Sequence, residues 1–283
     1  MYYYFDYEEP VFRPPSEAGS LILQATIGCS QNGCGFCGMY KMKRFRIRPV
    51  EDLLAEMKTV PAHHREHIQR VFLADGDALV YPQNGLTAIL DALAETFPNL
   101  TRVGIYASPN SLTTKSVEEL QVLREKKLRI LYFGLESGDA ETLKLARKGF
   151  LPGEMLSLCR KAQEADLKLS VTAILGLAGQ ERSREHAEAT AEWINALSPE
   201  YFSLLTMFRR HNKGAGVRSR LATFPQPAPP DLKKSPFGHL ISSFFPLSAG
   251  MQTQAEIRLG DRNVLAYLLS PVRKAWHEAG RER

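Results

Sequence analysis

Residues 21–37 read LILQATIGCSQNGCGFC. The first seven are apolar and β-branched enough, and few enough, to predict a strand rather than a helix. Cys29 begins two residues beyond that run, and Cys34 and Cys37 follow it. The cysteines therefore belong at a strand's C-terminal end. Gly28, Gly33, Gly35 and Gly38 stand among them, so the backbone there can wrap closely around a ligand.

Downstream of this stretch the same grammar repeats. Short β-rich runs recur at 71–74, 103–106, 130–135, 169–175 and 201–205. Between them lie segments with helical spacing of apolar residues. One opens at Pro49 with Glu51 and Asp52 in its first turn; others cover 86–97, 116–126, 140–147, 152–165 and 183–197. Ser183 and the acids that follow it read as a cap and an acidic first turn. Strand then helix, six times over, predicts parallel strands joined by right-handed crossovers. The expected fold is α/β, a partial (β/α)6 TIM-type barrel with an irregular C-terminal extension. The expected boundaries are 1–206 for the core and 207–283 for a basic, proline-rich extension. Within the extension only 263–278 has some helical spacing, and Pro271 interrupts it. In an open sheet or a barrel of this kind, chemistry gathers at the C-terminal ends of the strands.

The charge is uneven. Residues 207–283 carry a net +8 and the remainder a net −3, which together make the chain's +5. The basic balance is thus a property of the extension, and nucleic acid is not an expected partner of the body. No apolar run approaches the length of a membrane span, and the opening MYYYFDYEEP lacks the basic and apolar regions of a secretory signal. A cytoplasmic setting is the expectation.

Three cysteines within nine residues, with Cys159 far away, do not read as a disulfide framework. Soft thiolates in such a group select iron–sulfur clusters, zinc or Cu(I). Three local thiolates without a local fourth leave one coordination position open, which in a 4Fe–4S cluster means one iron free to bind another ligand.

At this point the sequence resembles the radical S-adenosylmethionine (radical SAM) superfamily, over roughly residues 10–206. Its stand-alone core is similar to the Elp3/MiaB/NifB-type and oxygen-independent coproporphyrinogen oxidase-like domains. The superfamily's usual signature has three residues between the first two cysteines and two before the third, with an aromatic just before the last. Here Phe36 and the second gap agree, while the first gap is four residues. The resemblance implies that Cys29, Cys34 and Cys37 hold a 4Fe–4S cluster. It also implies cofactor-facing segments at successive strand ends. Gly76 and Asp77 stand where a glycine–acid motif binds the methionyl amino group. Ser108, in Tyr106-Ala107-Ser108-Pro109-Asn110, stands in a ribose-facing segment, with Tyr106 where relatives often have Glu. Glu136 and Ser137 follow the fourth strand, and Gly176 lies in an apolar–glycine motif that packs on adenine. Reductive cleavage of S-adenosylmethionine to a 5′-deoxyadenosyl radical, which takes a hydrogen from a substrate, is the implied chemistry, and flavodoxin or ferredoxin the implied kind of reductant. No second cysteine cluster is present, and no cobalamin-type domain is expected in the short leader before Gly19.

Blander readings compete. The trio would suit a non-catalytic zinc module if His63, His64 or His67 supplied a fourth ligand, although those histidines read as a solvated helix end. Asp75 and Asp77 suit a turn around Gly76. Glu136 suits a capping acid, Cys159 a small core residue, and Met39 and Tyr40 either packing or the lining of the site. The basic extension, with its phenylalanines, would suit RNA.

Overall fold

The apolar run at 21–27 does not remain one strand. In the computed structural model, which describes residues 5–207 and 255–258, it divides into β1 (Leu21–Gln24) and β2 (Thr26–Ile27). β1 pairs in parallel with β4 (Arg70–Ala74), Leu21 opposite Val71 and Gln24 opposite Ala74. β2 turns away and pairs antiparallel with β3 (Arg46–Ile47). The Gln24 side chain is buried where the strand divides, donating to Glu8 O at 3.1 Å and Asp75 Oδ2 at 3.0 Å. The cysteines thus leave from a two-stranded ribbon rather than directly from the main sheet.

The remaining strands are β5 (Arg102–Ala107), β6 (Leu128–Glu136), β7 (Lys168–Leu175), β8 (Tyr201–Thr206) and β9 (Ala255–Arg258). The sheet order is β1-β4-β5-β6-β7-β8-β9. β4 pairs in parallel with β5, and β5 with β6, whose register shifts between Val103 and Gly104. β9 adds antiparallel to β8. Eight α-helices complete the described residues: α1 (Val50–Thr59), α2 (Ala62–Arg65), α3 (Gln83–Thr96), α4 (Pro109–Thr113), α5 (Val117–Glu125), α6 (Ala140–Leu145), α7 (Pro152–Glu164) and α8 (Ser183–Leu197). The strand–helix alternation expected from the sequence is present, as a mostly parallel sheet of the α/β class. β9 was not expected; it lies inside the extension read as irregular. The helical spacing at 263–278 falls outside the described residues.

The chain divides into two compact units: residues 1–134 with 157–170, and residues 135–156 with 171–283. In the first unit, α1 packs against α3 and α3 against α5. Leu86, Ile89, Leu90 and Leu93 form one buried stripe along α3 at helical spacing. Each such side chain contributes about 2 kcal/mol by leaving water. That outweighs the poor helix propensity of Asn84, Gly85 and Thr87 in the same helix, each costing at most about 1 kcal/mol. The 3-10 turn Pro15–Glu17 is tied in by a buried carboxylate: Glu17 accepts from Tyr132 Oη at 2.5 Å, from Arg102 at 2.8 Å, and from the Ser20 hydroxyl.

In the second unit, α6 is capped by Asp139, which accepts from Thr142 N at 3.0 Å. α8 starts at Ser183 with Arg182 as its N-cap, so Ser183 is the first helical residue rather than the cap. α8 passes so close to Gly138 that a side chain there would run into the backbone of Ala189. Trp193 of α8 donates to Pro152 O at 2.8 Å.

Candidate functional site

The first cysteine and the residues read as cofactor-facing sit just beyond a strand's C-terminal end, or end one. Cys29 follows β2; Asp75, Gly76 and Asp77 follow β4; Ser108 follows β5; Glu136 ends β6 and Ser137 follows it; Gly176 follows β7. The first unit holds the cysteines and the residues after β4 and β5. The second holds Glu136, Ser137 and Gly176.

Within the first unit the strand ends are stitched together. Asp75 N donates to Thr26 O and Gly76 N to Gly28 O, both at 3.1 Å. Gly76 then passes between two side chains. A Cβ added there would lie 2.5 Å from Tyr40 Cε2 and 3.0 Å from Cys29 Cβ. Only a glycine admits this approach, which explains a residue read from the sequence as part of a cofactor motif.

Asp75 is fully buried and structural in its bonding. Its Oδ2 accepts from Gly28 N at 3.0 Å, Gln24 Nε2 at 3.0 Å and Lys43 Nζ at 2.9 Å. Burial pushes its carboxyl above the usual range, against the pull of the Gly28 amide and the Lys43 ammonium. Lys43 spends its other donors on Glu8 O and, at 2.8 Å, on Pro10 O. It therefore clamps the N-terminal segment to the cysteine loop. Sequence reasoning missed Lys43, because a lysine amid Lys41, Arg44, Arg46 and Arg48 reads as one more solvated cation.

Asp77 joins three strand ends. Its carboxylate accepts from the Ser30 hydroxyl beside Cys29, from Ser108 N at 3.0 Å and from Ser108 Oγ at 2.7 Å. Ser108 in turn caps α4 in a reciprocal box with Ser111. Burial raises the Asp77 pKa despite the opposing hydroxyl bonds from Ser30, Ser111 and Ser108. Ser30 and Ser111 were not foreseen; small hydroxyl residues beside a turn carry no signal of a partner some thirty or more positions away. Tyr106, on β5, stands edge-on to Phe72, with centroids 4.9 Å apart.

All four cysteines are unbridged thiols. The Cys29 thiol is pushed up to about 12 by burial, then by Asp77 and by its neighbours Cys37 and Cys34. Among the described residues no three His, Cys, Asp or Glu side chains are gathered into a finished metal geometry. The fit of a cluster therefore rests on the donor set. Three soft sulfurs share one glycine-rich loop, two of them close enough to oppose ionisation of Cys29, and bound iron would relieve that repulsion. They fit a metal–sulfur group. His63 and His64 meet at a tilt on the short helix α2 with centroids 4.1 Å apart, and His63 and His67 are exposed, as a solvated helix end requires. Cys159 is fully buried on α7.

In the second unit Glu136 adopts φ 68°, the left-handed region that a non-glycine residue enters at a cost. Lys148 holds its carboxylate at 3.1 Å. Ser137 is fully buried; its Oγ lies 2.7 Å from His186 Nδ1 and accepts from Asp139 N at 3.0 Å. Burial lowers the His186 pKa, against a bond to the Ile174 carbonyl that raises it. Gly176 turns with φ 82°, and among the described residues nothing lies within 4 Å of where its Cβ would be. Lys148 and His186, which fix Glu136 and Ser137, are further residues that sequence reading did not single out.

The sequence profile described as the radical SAM superfamily matches residues 23–194. The uncharacterized protein MJ1620 of Methanocaldococcus jannaschii is 24% identical over 221 residues, covering 72% of this chain and 43% of that protein. The chain thus spans less than half the length of that curated relative. Among solved structures, coproporphyrinogen III oxidase (HemN) from Escherichia coli, described as a radical SAM enzyme, superposes with a TM-score of 0.57 at 17% identity. That match covers 87% of this chain and 57% of HemN. TsrM from Kitasatospora setae, a radical S-adenosylmethionine methyltransferase solved with tryptophan and aza-SAM, gives 0.52 at 20% identity, covering 65% of this chain and 35% of TsrM. These likenesses show the fold, the partial barrel expected from the alternation of elements. The profile spans well over half of the chain, and this protein belongs to the radical SAM superfamily.

Proposed function

We propose that this chain is a radical SAM enzyme that binds one 4Fe–4S cluster through Cys29, Cys34 and Cys37 and cleaves S-adenosylmethionine reductively. When bound, the cluster and S-adenosylmethionine supply a 5′-deoxyadenosyl radical that takes hydrogen from a substrate. The observation that carries the reading is the arrangement of the thiol loop. Three unbridged sulfurs leave β2, and their loop is tied through Gly28 to Gly76 and through Ser30 to Asp77.

The chain's own residues have distinct tasks. Gly76 lets the end of β4 lie against Cys29 and Tyr40. Asp77 holds the thiol loop to the end of β5 and, with Gly76, marks the place where the methionyl amino group binds. Ser108 keeps Asp77 oriented and brings the end of β5 toward the ribose. Glu136, fixed by Lys148, and the backbone of Ser137 and Gly176 supply the ribose and adenine contacts. Residues 1–206 form the core in this reading, with 207–283 as an extension. The reductant is a low-potential protein such as flavodoxin or ferredoxin, and the unbridged thiols suit the reducing cytoplasm. Among the described residues no helix is long and apolar enough to cross a membrane.

The test is anaerobic reconstitution with iron and sulfide, then dithionite and S-adenosylmethionine, with chromatography for 5′-deoxyadenosine. Formation of that product by the wild type and its loss in Cys34→Ala are expected. Zinc bound in place of a cluster would reverse the reading and favour a non-catalytic metal module.

A further inference from the structure

Tyr40 is 4% exposed, yet among the described residues its hydroxyl has no hydrogen-bond partner. A buried, unpaired hydroxyl is costly, and such a group calls for a reason. The ring itself is well fixed. Its Cε2 and Cδ2 atoms press on Gly76, and the Phe12 ring meets it edge-on at 5.5 Å. The Lys43 ammonium lies 5.8 Å from the ring centroid. Its backbone carbonyl accepts from Asn32 Nδ2 at 2.8 Å and Lys43 N at 3.1 Å. A side chain held at so many points does not swing its hydroxyl out to water.

The hydroxyl end of the Tyr40 ring lies beside the start of the thiol loop. The groups whose charge bears on Tyr40 are Tyr106, Asp75, Cys29 and Cys37. Cys29 Cβ and the ring edge next to the hydroxyl converge on the same point above Gly76. Tyr40 follows Cys37 by only three positions, at the end of the same loop.

We propose that the Tyr40 hydroxyl donates a hydrogen bond to a sulfur of the cluster held by Cys29, Cys34 and Cys37, and thereby raises its reduction potential. This rests on the iron–sulfur reading of the loop. A donor to cluster sulfur stabilises the more negative, reduced state, so its removal makes reduction harder. Tyr40 is a positioning and tuning residue here and exchanges no proton with substrate.

The experiment compares the reconstituted wild type with Tyr40→Phe, which keeps the ring and removes only the donor. Iron and sulfide per chain are measured first. A reductive titration without S-adenosylmethionine then follows the paramagnetic signal of the reduced cluster. At the wild-type midpoint the reduced-to-oxidised ratio of Tyr40→Phe is expected to fall about three- to ten-fold, the effect of one hydrogen bond. Phe12→Leu, which loosens the packing and keeps the hydroxyl, is expected to titrate as the wild type does. 3-Fluorotyrosine in place of Tyr40 strengthens the donor and is expected to move the midpoint upward, which keeps the test open should Tyr40→Phe load poorly. Unchanged midpoints, or an effect on S-adenosylmethionine binding alone, overturn the inference while the cluster reading stands. A wild type that takes up no iron–sulfur cluster overturns both.

Discussion

Lys43 shows how much of this site depends on one side chain that looks ordinary in the sequence. It is a cation buried against a buried carboxylate, with side-chain exposures of 2% and 0% for Lys43 and Asp75. Buried pairs are poor sources of net stability, but breaking one strands the remaining charge. Lys43→Met is therefore expected to lower the unfolding free energy by about 3 kcal/mol, read from urea titrations. Lys43→Met with Asp75→Asn is expected to recover part of that loss, since no carboxylate is then left uncompensated. Equal losses in the single and double variants would mean that the clamp on Glu8 O and Pro10 O, and not the ion pair, carries the effect. The cysteines, by contrast, are legible at a glance, because their spacing is local and few other chemistries want it. Asp77 is intermediate. The sequence points to the residue, while its bonds to Ser30 and Ser108 come from chain segments that only folding brings together.

Elements differ in the same way. α5 announces itself through Ser116 and Glu119, which form the reciprocal cap. α3 does so through its stripe of Leu86, Ile89, Leu90 and Leu93. The division of 21–27 into β1 and β2 is invisible in the sequence, because the residues on either side of it are equally strand-forming and the cause is the distant pairing with Arg46 and Ile47. β9 is four residues long and gives propensity little to act on. The turn into α6 offers a prediction at this scale. Burial pushes Asp139 up, but the Arg182 guanidinium together with the Thr142 hydroxyl and amide outweighs it and holds the carboxyl at about 2. A depressed carboxylate contributes stability that is present above its unfolded value of 3.8 and is lost as pH falls through the folded value of about 2. Asp139→Asn keeps a capping side chain and removes the charge. With Arg182 partly open to solvent, the wild type is expected to exceed this variant by about 1 kcal/mol at neutral pH. That gap should close between pH 4 and pH 2, roughly the interval between the unfolded and folded values. A gap that persists undiminished below pH 2 would assign the effect to capping geometry instead.

For the molecule as a whole, the cysteine loop is the part whose stability the proposed cluster would change most. The strands beneath it are closed by their own burial: Leu23, Val71, Phe72, Val103 and Ile105 are fully shielded from water. The loop is tied through Gly28, Ser30 and Asn32, and it carries the Cys29 thiol, whose ionisation Cys37 and Cys34 oppose. Binding to the folded state alone adds its free energy to folding, so loading iron and sulfide is expected to raise the melting temperature. The gain should be local before it is global. Hydrogen exchange should show added protection at residues 28–40 and at Gly76, whose amide already donates to Gly28 O. The amides of Leu23 and Phe72 should change little, since they exchange only when the sheet opens. Cys34→Ala, treated identically, should show neither the melting shift nor the added protection. A melting shift of equal size in wild type and Cys34→Ala would place the bound iron elsewhere. Protection spread evenly through β1 and β4 would instead mean that the loop and the sheet already open as one unit, so that the ties through Asp75 and Asp77 are stronger than their number suggests.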